Sequence, residues 1–325
     1  MGNSSIILRR VNIVRDFRAR APRPANQPAP LPPARTREEA LHRAMVHMRA
    51  PVYYQFALFF GAAAVMGAMG WAYLAGMAPA WLTILINGIA QYFAFTVLHD
   101  SAHSVYCREH PWLRQINRLC AHIVGIAYLI PFSAFKFAHL GHHHHFNDPG
   151  RDPDHWVAGG RMVTVLARCA TMHIPYYGVI LRKAPPTIRI QLVISLVAIV
   201  GLVGVAVMGG FLKPLLVIWL IPAHIAIFLV AFVFDWLFHH PHARTMVGDA
   251  PAYILPAPIR AAGNFLVMNQ TFHLIHHLYP RVPWTRVVRL YDEIEPWLRA
   301  EGITVIDLSA AQKTARVPPA RSDNA

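Results

Sequence analysis

Two long apolar blocks divide the chain into stretches that can cross a membrane and polar stretches that cannot. Residues 51–98 contain no Asp, Glu, Lys or Arg, and residues 190–236 form a second block that is almost as apolar. At about 1.5 Å per residue, about 20 residues cross the hydrocarbon core, so each block is long enough for two helices. Glycine and proline near residues 76–79 and 209–214 predict a turn within each block. The predicted spans are about 52–76, 79–98, 190–209 and 214–236.

Shorter apolar stretches predict helices at the membrane surface. Residues 121–130 are too short to span and predict a re-entrant or interfacial helix. Residues 162–181 include an arginine and a histidine, which are costly at the bilayer centre, so we expect an interfacial helix here too. Residues 38–49 predict a further surface helix, with Thr36 as its N-cap and Glu39 three residues later. The pattern predicts an all-α integral membrane protein with four transmembrane helices in two hairpins and a helical cap.

Composition and charge agree with this class and predict an orientation. The 325 residues are 55% hydrophobic and only 14% charged, against about 25% charged residues in an average soluble protein. The net charge is +14, but the arginines flank the apolar blocks, so contact with anionic lipid explains them better than nucleic acid. The turn within each block holds almost no cation except Lys213. The positive-inside pattern therefore predicts a bacterial-type inner membrane protein with a cytoplasmic cap and both termini cytoplasmic.

The predicted organisation has three parts. Residues 1–50 form a basic, Pro-rich N-terminal arm that ends in the surface helix, and the arm's middle is expected to be extended polyproline II or disordered. Residues 51–308 form the membrane domain. Residues 309–325 form a tail that is expected to be disordered.

Histidines are concentrated at the polar ends of the apolar blocks. His99 and His103 follow the first block in H-x3-H spacing, and two H-x-x-H-H groups begin at His139 and His273. Because residues three or four apart share one face of a helix, each group directs two or three rings towards one point. Imidazole is the commonest metal ligand among side chains. The candidate ligands are His99, His103, His139, His142, His143, His273, His276 and His277, together with one of His239 and His242.

Eight or nine imidazoles are too many for one metal ion and predict a site for two. A structural zinc site has four ligands and usually includes thiolates, whereas imidazole-rich ligation fits iron, copper or zinc alike. Asp100, Asn147, Asp148 and Asp235 lie close to these histidines in sequence and are suited to accept ring N–H groups. A metal transporter is a distant alternative. Transporters place ionisable ligands near the middle of their spans, whereas the histidine groups here lie at the ends of the apolar blocks. Lone histidines are treated as ordinary polar residues: His42, His47, His110, His122, His155 and His224.

The three histidine groups together resemble the boxes of the membrane fatty acid desaturase and hydroxylase superfamily. Its boxes follow H-x3–4-H, H-x2–3-H-H and H/Q-x2–3-H-H, and here they begin at His99, His139 and His273. The resemblance covers about residues 52–297 and implies a cytoplasmic cap that holds two irons, with O2 as co-substrate. It also implies a further histidine after the second hairpin, and His239 is in the better position at the helix end. Asn269, shortly before the third box, is part of the same resemblance.

The resemblance implies an enzyme that hydroxylates or desaturates an unactivated C–H site of a lipid. Asp235 in an Asp-x3-His-x2-His arrangement, together with the third box, is most similar to the carotenoid β-ring hydroxylase branch, and acyl-lipid desaturases or fatty acid hydroxylases are the alternative. The chain has no G-x-G-x-x-G nucleotide fingerprint after a strand and no His-Pro-Gly-Gly of a fused cytochrome b5. Electrons are therefore expected from a separate carrier, a ferredoxin or similar protein, that docks on the basic cytoplasmic face.

Overall fold

The computed structural model describes residues 32–240, 242, 250–303 and 305–309. Met1–Pro32 and Pro33–Ala325 are two separate units, and every element described below belongs to the second. The Pro-rich stretch of the predicted N-terminal arm and residues 310–325 of the predicted tail lie outside the described residues. The described helices and strands are α1 (Arg37–His47), α2 (Tyr54–Leu74), α3 (Ala80–Ala102), α4 (Pro111–Ala127), α5 (Phe132–His145), α6 (Met162–Ala170), α7 (His173–Lys183), α8 (Pro186–Met208), α9 (Leu212–His239), α10 (Ala257–Leu266), α11 (His273–Leu278), α12 (Val287–Ala300), β1 (Ala252–Ile254) and β2 (Val305–Asp307).

Four of these helices, α2, α3, α8 and α9, are long and apolar enough to cross a membrane. They lie in the regions of the four predicted spans. Only 11% of the apolar windows of α2 and α8 is buried inside the protein, compared with 56% for α3 and 39% for α9. An apolar helix with so little protein contact needs lipid around it. The protein is therefore an integral membrane protein, and α3 is its innermost span.

Glycines in the left-handed conformation follow the first and third spans. Gly76 has φ +72° and Gly210 has φ +74°, a region that glycine adopts without steric cost. Each glycine lies in the short turn that leads to the next span. Helix α3 packs against both α2 and α9, which places the ends of α3 and α9 close to each other.

Helix α9 is irregular along its length. Two π-helical segments, Leu216–Leu220 and Ala231–Trp236, interrupt it, and it ends in a 3-10 turn over Leu237–His239. A π-helical segment has wider turns than an α-helix and is frequent at functional sites. The second π-helical segment lies in the turns just before His239, so it affects the direction of this side chain.

Helices α4 and α5 form a bent pair with an angle of 91° between them. Leu129 in the connection has φ +61°, and Pro131 caps the start of α5. The bend requires close packing at Gly125, where a Cβ would lie 2.7 Å from the Ile130 carbonyl oxygen. The segment 121–130, predicted to be interfacial or re-entrant, forms the end of α4 and this bend.

Helices α1, α11 and α12 share a hydrophobic core of their own. Ala40 and Ala44 of α1 are fully buried in this core beside Leu290 of α12. Thr36 caps α1 by accepting a hydrogen bond from the Glu39 amide (3.2 Å), which confirms the predicted capping residue.

The parallel pairing of β1 with β2 makes the all-α prediction wrong in one detail. Each strand has only three residues. This is too short for an alternating pattern to distinguish from a loop in the sequence.

Candidate metal centre

The candidate histidines come from the ends of three helices and from one short helix. His99 lies in the last turn of α3, and His103 is the residue that caps it. The second box occupies the end of α5, His239 ends α9, and the third box forms most of α11. Because α3, α5 and α9 end near one another, residues that are far apart in the sequence meet at one place.

The first group contains His99, His103, His139 and His276, all buried, with one ring nitrogen of each within 4.8 Å of the others. The Nε2 atoms of His103 and His139 are 2.7 Å apart. His143 joins this group through its Nε2 atom, which is 2.9 Å from that of His276.

The second group contains His142, His239 and His277. His239 Nε2 is 3.2 Å from His142 Nε2 and 3.2 Å from His277 Nε2. His273 completes the group, since its Nε2 atom is 3.1 Å from that of His239 and 2.9 Å from that of His277. The two groups are adjacent, because the rings of His143 and His277 stack with their centroids 4.4 Å apart.

The hydrogen-bond partners of the rings indicate tautomers that fit metal binding. A neutral imidazole has one N–H and one lone pair. The Nδ1 atom of His142 donates to Asp152 at 2.9 Å, and that of His273 donates to the Gln270 side-chain oxygen. Both rings therefore direct an Nε2 lone pair at His239, an arrangement that is stable when a cation lies between them. In the first group, His99 Nε2 is buried with no hydrogen-bond partner among the described residues.

Carboxylates and an amide hold the rings in these orientations. Asp152 Oδ1 accepts a hydrogen bond from the His142 ring, while Asp152 Oδ2 accepts one from the main-chain N–H of Asn147 at 2.7 Å. Asp100 accepts from His99 Nδ1 at 3.1 Å and from the Tyr54 hydroxyl. Asp154 Oδ2 also lies 3.4 Å from His142 Nδ1. Four of these partners were not among the residues singled out from the sequence: Asp152, Asp154, Gln270 and Tyr54. The Asp-rich run after the second box was the only signal for the first two.

Other polar residues chosen from the sequence make different contacts. Asp148 accepts the Gly150 amide and pairs with Arg151 in the turn after α5. The Asn269 side chain donates to the Trp284 carbonyl at 2.9 Å. Asp235 is close to the second group, and its Oδ2 atom is buried with no hydrogen-bond partner in the described part of the chain.

His239 and His242, the two alternatives from the fourth span, lie in different environments. His239 is in the second group, whereas His242 is in neither group and its ring centroid is 6.3 Å from that of His239. The Nε2 atom of His242 is 3.3 Å from the Asp235 carbonyl oxygen. Burial lowers the pKa of His242 to about 4, although the Asp235 carbonyl opposes this shift.

Burial favours the neutral form of four clustered imidazoles outside the spans. It lowers the pKa of His103, His273, His276 and His277 well below the usual value, and neighbouring histidines lower it further. The opposite shift occurs at Asp154, where burial, then Asp235 and Asp152, raise the pKa well above its ordinary range. Neutral imidazoles are the form that binds metal ions, so the site is ready to bind them at neutral pH.

An apolar passage leads to the histidines. One cavity is lined by His99, His142 and His239, and a neighbouring cavity extends away from them. The two small cavities adjoin each other, and together they are called the passage; they share the lining residues Phe95, Phe135, Met172, Tyr176 and Val230. An apolar cleft that ends at a few convergent polar groups is typical of a site for a hydrophobic ligand.

Comparison with known families gives one match. Residues 75–309 match the family described as Fatty acid desaturase. This is more than two thirds of the chain, and it includes all three histidine boxes together with His239 and His242. None of the curated proteins compared with the chain matches it.

Proposed function

Since this chain belongs to the fatty acid desaturase family, we propose that it is a di-iron membrane oxidoreductase that uses O2 to hydroxylate or desaturate an unactivated C–H site of a lipid. The observation that carries the proposal is the pair of adjacent imidazole groups at the end of an apolar passage. A metal transporter fits less well, because His99 and His239 lie in the last turns of their spans and not near the middle.

The residues of this chain supply position and a dry environment. Two bound irons would supply the reductive activation of O2 and the removal of hydrogen from carbon. The nine clustered histidines would hold them, and Asp100, Asp152 and Gln270 fix the ring tautomers of three of these histidines. The rings of Phe95 and Phe135 keep water from the passage and hold the hydrocarbon beside the metal centre.

Two substrate classes are each supported by an observation. The arrangement of Asp235, His239 and His242 before the third box favours a carotenoid ring, as in the β-ring hydroxylases that the sequence resembles. The cavity beyond the shared residues has a volume of only about 30 Å³, which is room for about two water molecules. This narrow space favours an unbranched acyl chain. We take the carotenoid ring as the first candidate and the acyl chain as the second.

Expression in two bacterial hosts, one that makes β-carotene and one that does not, tests the substrate class. Mass spectrometry of pigments and lipids is the measurement. One or two added oxygen atoms on the carotenoid support the ring hydroxylase, whereas new double bonds or hydroxyl groups in the fatty acids support the acyl enzyme. Two irons per purified chain are expected in either case. A chain that binds no iron after reconstitution and changes neither lipid class would contradict the proposal.

We further propose that an open, basic cleft is the docking site of the electron carrier. The cleft has a volume of about 610 Å³ and is lined by Arg108, Arg114, Arg118 and Arg281. Among the described residues, none of these arginines forms a salt bridge. Ser104, which also lines the cleft, directly follows His103, so the cleft lies close to the first metal group. An acidic ferredoxin-like protein is the partner that this charge and position favour.

Charge reversal at Arg114 and Arg118 tests this docking site. The double Arg→Glu variant is expected to lower the rate of reduction by an acidic ferredoxin about tenfold or more at low salt. Its rate with dithionite, a small reductant, should not change. Arg161→Glu is the control, because Arg161 is exposed and does not line the cleft. An equal loss in the control, or none in the double variant, would exclude this cleft as the docking site.

The proposed orientation places both termini and the metal centre on the cytoplasmic side of a bacterial-type inner membrane. Cations support it, because the turn between α8 and α9 holds none and the first turn of α9 holds only Lys213, while four arginines line the cleft near the histidines. Cysteine labelling of a single variant in the turn near Gly76 tests it. The cysteine in this turn should react with an impermeant reagent from the periplasmic side of intact cells. Labelling only after lysis would show that the turn is cytoplasmic and that the orientation is the opposite one.

A further inference from the structure

Helix α10 has an apolar exposed surface and a polar buried one. Its large side chains Ile259, Phe265 and Leu266 are 55%, 56% and 59% exposed. A surface helix in water shows the reverse pattern, since its apolar stripe faces the core and its polar side chains face outward. The exposed residues of α10 are all apolar: Ala257, Pro258, Ile259, Ala261, Ala262, Phe265 and Leu266.

The two polar side chains of α10 are bonded within the protein. Asn264 is buried, and its side-chain oxygen accepts a hydrogen bond from the Thr271 hydroxyl at 2.9 Å. Arg260 is half-buried, and its Nε atom donates to the Leu255 carbonyl oxygen at 2.9 Å. The exposed face of α10 therefore presents neither a charge nor a side-chain hydrogen-bonding group, and it fits an apolar partner.

The end of α10 packs against two of the membrane-spanning helices through aromatic rings. The centroid of the Phe265 ring is 5.3 Å from that of Phe93 on α3 and 6.5 Å from that of Trp284. The Trp284 ring in turn lies 6.0 Å from that of Tyr54, the first residue of α2. Phe93 precedes His99 by six residues, or about 9 Å along α3, so Phe265 lies beside the apolar part of this span. The exposed face of α10 is therefore continuous with the lipid-facing surface of the spans, at the level where tyrosine and tryptophan are frequent.

We propose that α10 lies in the plane of the membrane interface, on the side of the metal centre, with Ile259, Phe265 and Leu266 among the lipid acyl chains. A helix of ten residues is about 15 Å long, which is too short to cross a hydrocarbon core of about 30 Å. An in-plane helix instead places its apolar face about 5–10 Å into the boundary between head groups and acyl chains. Continuity with the spans favours lipid as the partner over a second protein surface.

Membrane contact at α10 also anchors the segment that carries the third histidine box. This box follows α10 after a short connection, and two hydrogen bonds hold that connection in place. The Thr96 hydroxyl of α3 donates to the Met268 sulfur at 2.7 Å, and Thr271 bonds Asn264 as described above. The in-plane helix thus keeps the third box level with the end of α3.

Quenching of a fluorescent label from the lipid and from the water tests this position. Ile259→Cys and Leu266→Cys are labelled with bimane in phosphatidylcholine nanodiscs, and quenching by doxyl-labelled phosphatidylcholine is compared with quenching by iodide. Both labels are expected to be quenched at least about twofold more strongly by the lipid quencher. The three native cysteines are buried, and the wild-type protein treated with bimane gives their background.

Val197→Cys and Ala300→Cys are the matched controls. Val197 is exposed in the middle of span α8 and should respond mainly to the lipid quencher. Ala300 is exposed between Arg299 and Glu301 at the end of α12 and should respond mainly to iodide. Stronger quenching by iodide at α10 would place the helix in water, and protection from both quenchers would show that a protein surface covers it; either result would overturn the proposal. No turnover is measured, so failure of the proposed oxidation leaves this result unchanged.

Discussion

At the scale of single residues, His142 is the most informative position in the metal centre. Its Nε2 atom faces His239 at 3.2 Å, while its Nδ1 atom is held by Asp152. Loss of a residue that only hydrogen-bonds a metal ligand lowers metal affinity or activity about 10–100-fold. His142→Ala removes a candidate ligand itself, so it is expected to lower activity more than about 100-fold. Its iron content should fall from two towards one per chain. His122→Ala, which removes an exposed ring, should keep both irons, and full activity in His142→Ala would remove this residue from the site.

Asp152 is expected to act through His142 without touching a metal. Asp152→Asn removes the charge of the acceptor and should lower the iron affinity of the second group about 10–100-fold. Asp148→Asn is the control, since Asp148 lies four residues away and bonds Gly150 and Arg151. Titration of the apoprotein with Fe(II) measures both. Equal losses in the two variants would show that the whole turn, and not the bond to His142, determines affinity.

The histidines could be identified from the sequence, and so could Asp100, the partner of His99, whereas Asp152 and Gln270, the partners of His142 and His273, could not. Spacings of three and four residues determine which rings share a helix face, and this information is local. The partner of His142 depends on the path of the chain after α5, which no periodicity encodes. Asp152 and not Asp148 reaches the ring, because the intervening residues form a turn that directs Asp148 towards Arg151. The choice between His239 and His242 depends likewise on the 3-10 turn that ends α9.

At the scale of elements, the bend between α4 and α5 orients the second histidine box. A Cβ on Gly125 would lie 2.7 Å from the Ile130 carbonyl oxygen and 3.0 Å from the Phe132 amide nitrogen. Because both are main-chain atoms, Gly125→Ala requires the backbone to move and is expected to destabilise the protein by about 1–3 kcal/mol. The lower melting temperature in detergent should be accompanied by weaker iron binding at His139.

Gly61→Ala is the control for this variant. Gly61 lies within α2, and nothing is within 4 Å of the position that its Cβ would occupy. Alanine favours a helix over glycine by about 1 kcal/mol, so Gly61→Ala should leave the melting temperature unchanged or raise it. An unchanged melting temperature in Gly125→Ala would show that the bend tolerates a side chain and does not orient the box.

The lengths of the spans could be predicted from apolar runs, but the irregularities within them could not. The π-helical segment Ala231–Trp236 is mostly apolar, like the regular helix before it, and periodicity does not distinguish the two. The short pairing of β1 with β2 is a contact over about 50 residues of sequence, and three-residue strands contain too little pattern to indicate it.

At the scale of the whole molecule, the spans and the helices α1, α11 and α12 are stabilised in different ways. Helices α2 and α8 are apolar and mostly exposed, as is expected of helices in contact with lipid, whereas α1, α11 and α12 share a buried core around Leu290 and Ile294. The histidines lie between these regions and replace apolar packing there with buried polar rings. Without metal ions, the stability of the centre therefore depends on the protonation of these rings.

This leads to an expected pH dependence of the apoprotein. His103, His273, His276 and His277 have lowered pKa values in the folded protein because of burial, whereas an unfolded histidine titrates near about 6.5. Below that pH, the unfolded chain binds more protons than the folded one, so the free energy of unfolding decreases as the pH falls. The decrease is up to about 1.4 kcal/mol per pH unit for each ring that stays neutral. Above about pH 7 both states are neutral at these rings, and no dependence on them is expected.

Melting temperatures of the chelator-treated protein at about pH 7.5 and 5.5 measure this effect, and they should be clearly lower at the acid pH. The His276→Gln and His277→Gln double variant removes two of the four titrating rings, so its melting temperature should change less between the two conditions. Gln is uncharged at both pH values and keeps a hydrogen-bonding side chain at each position. A wild-type apoprotein that melts at the same temperature at both pH values would show that the folded centre takes up protons as readily as the unfolded chain, and that these rings are more hydrated than their burial indicates.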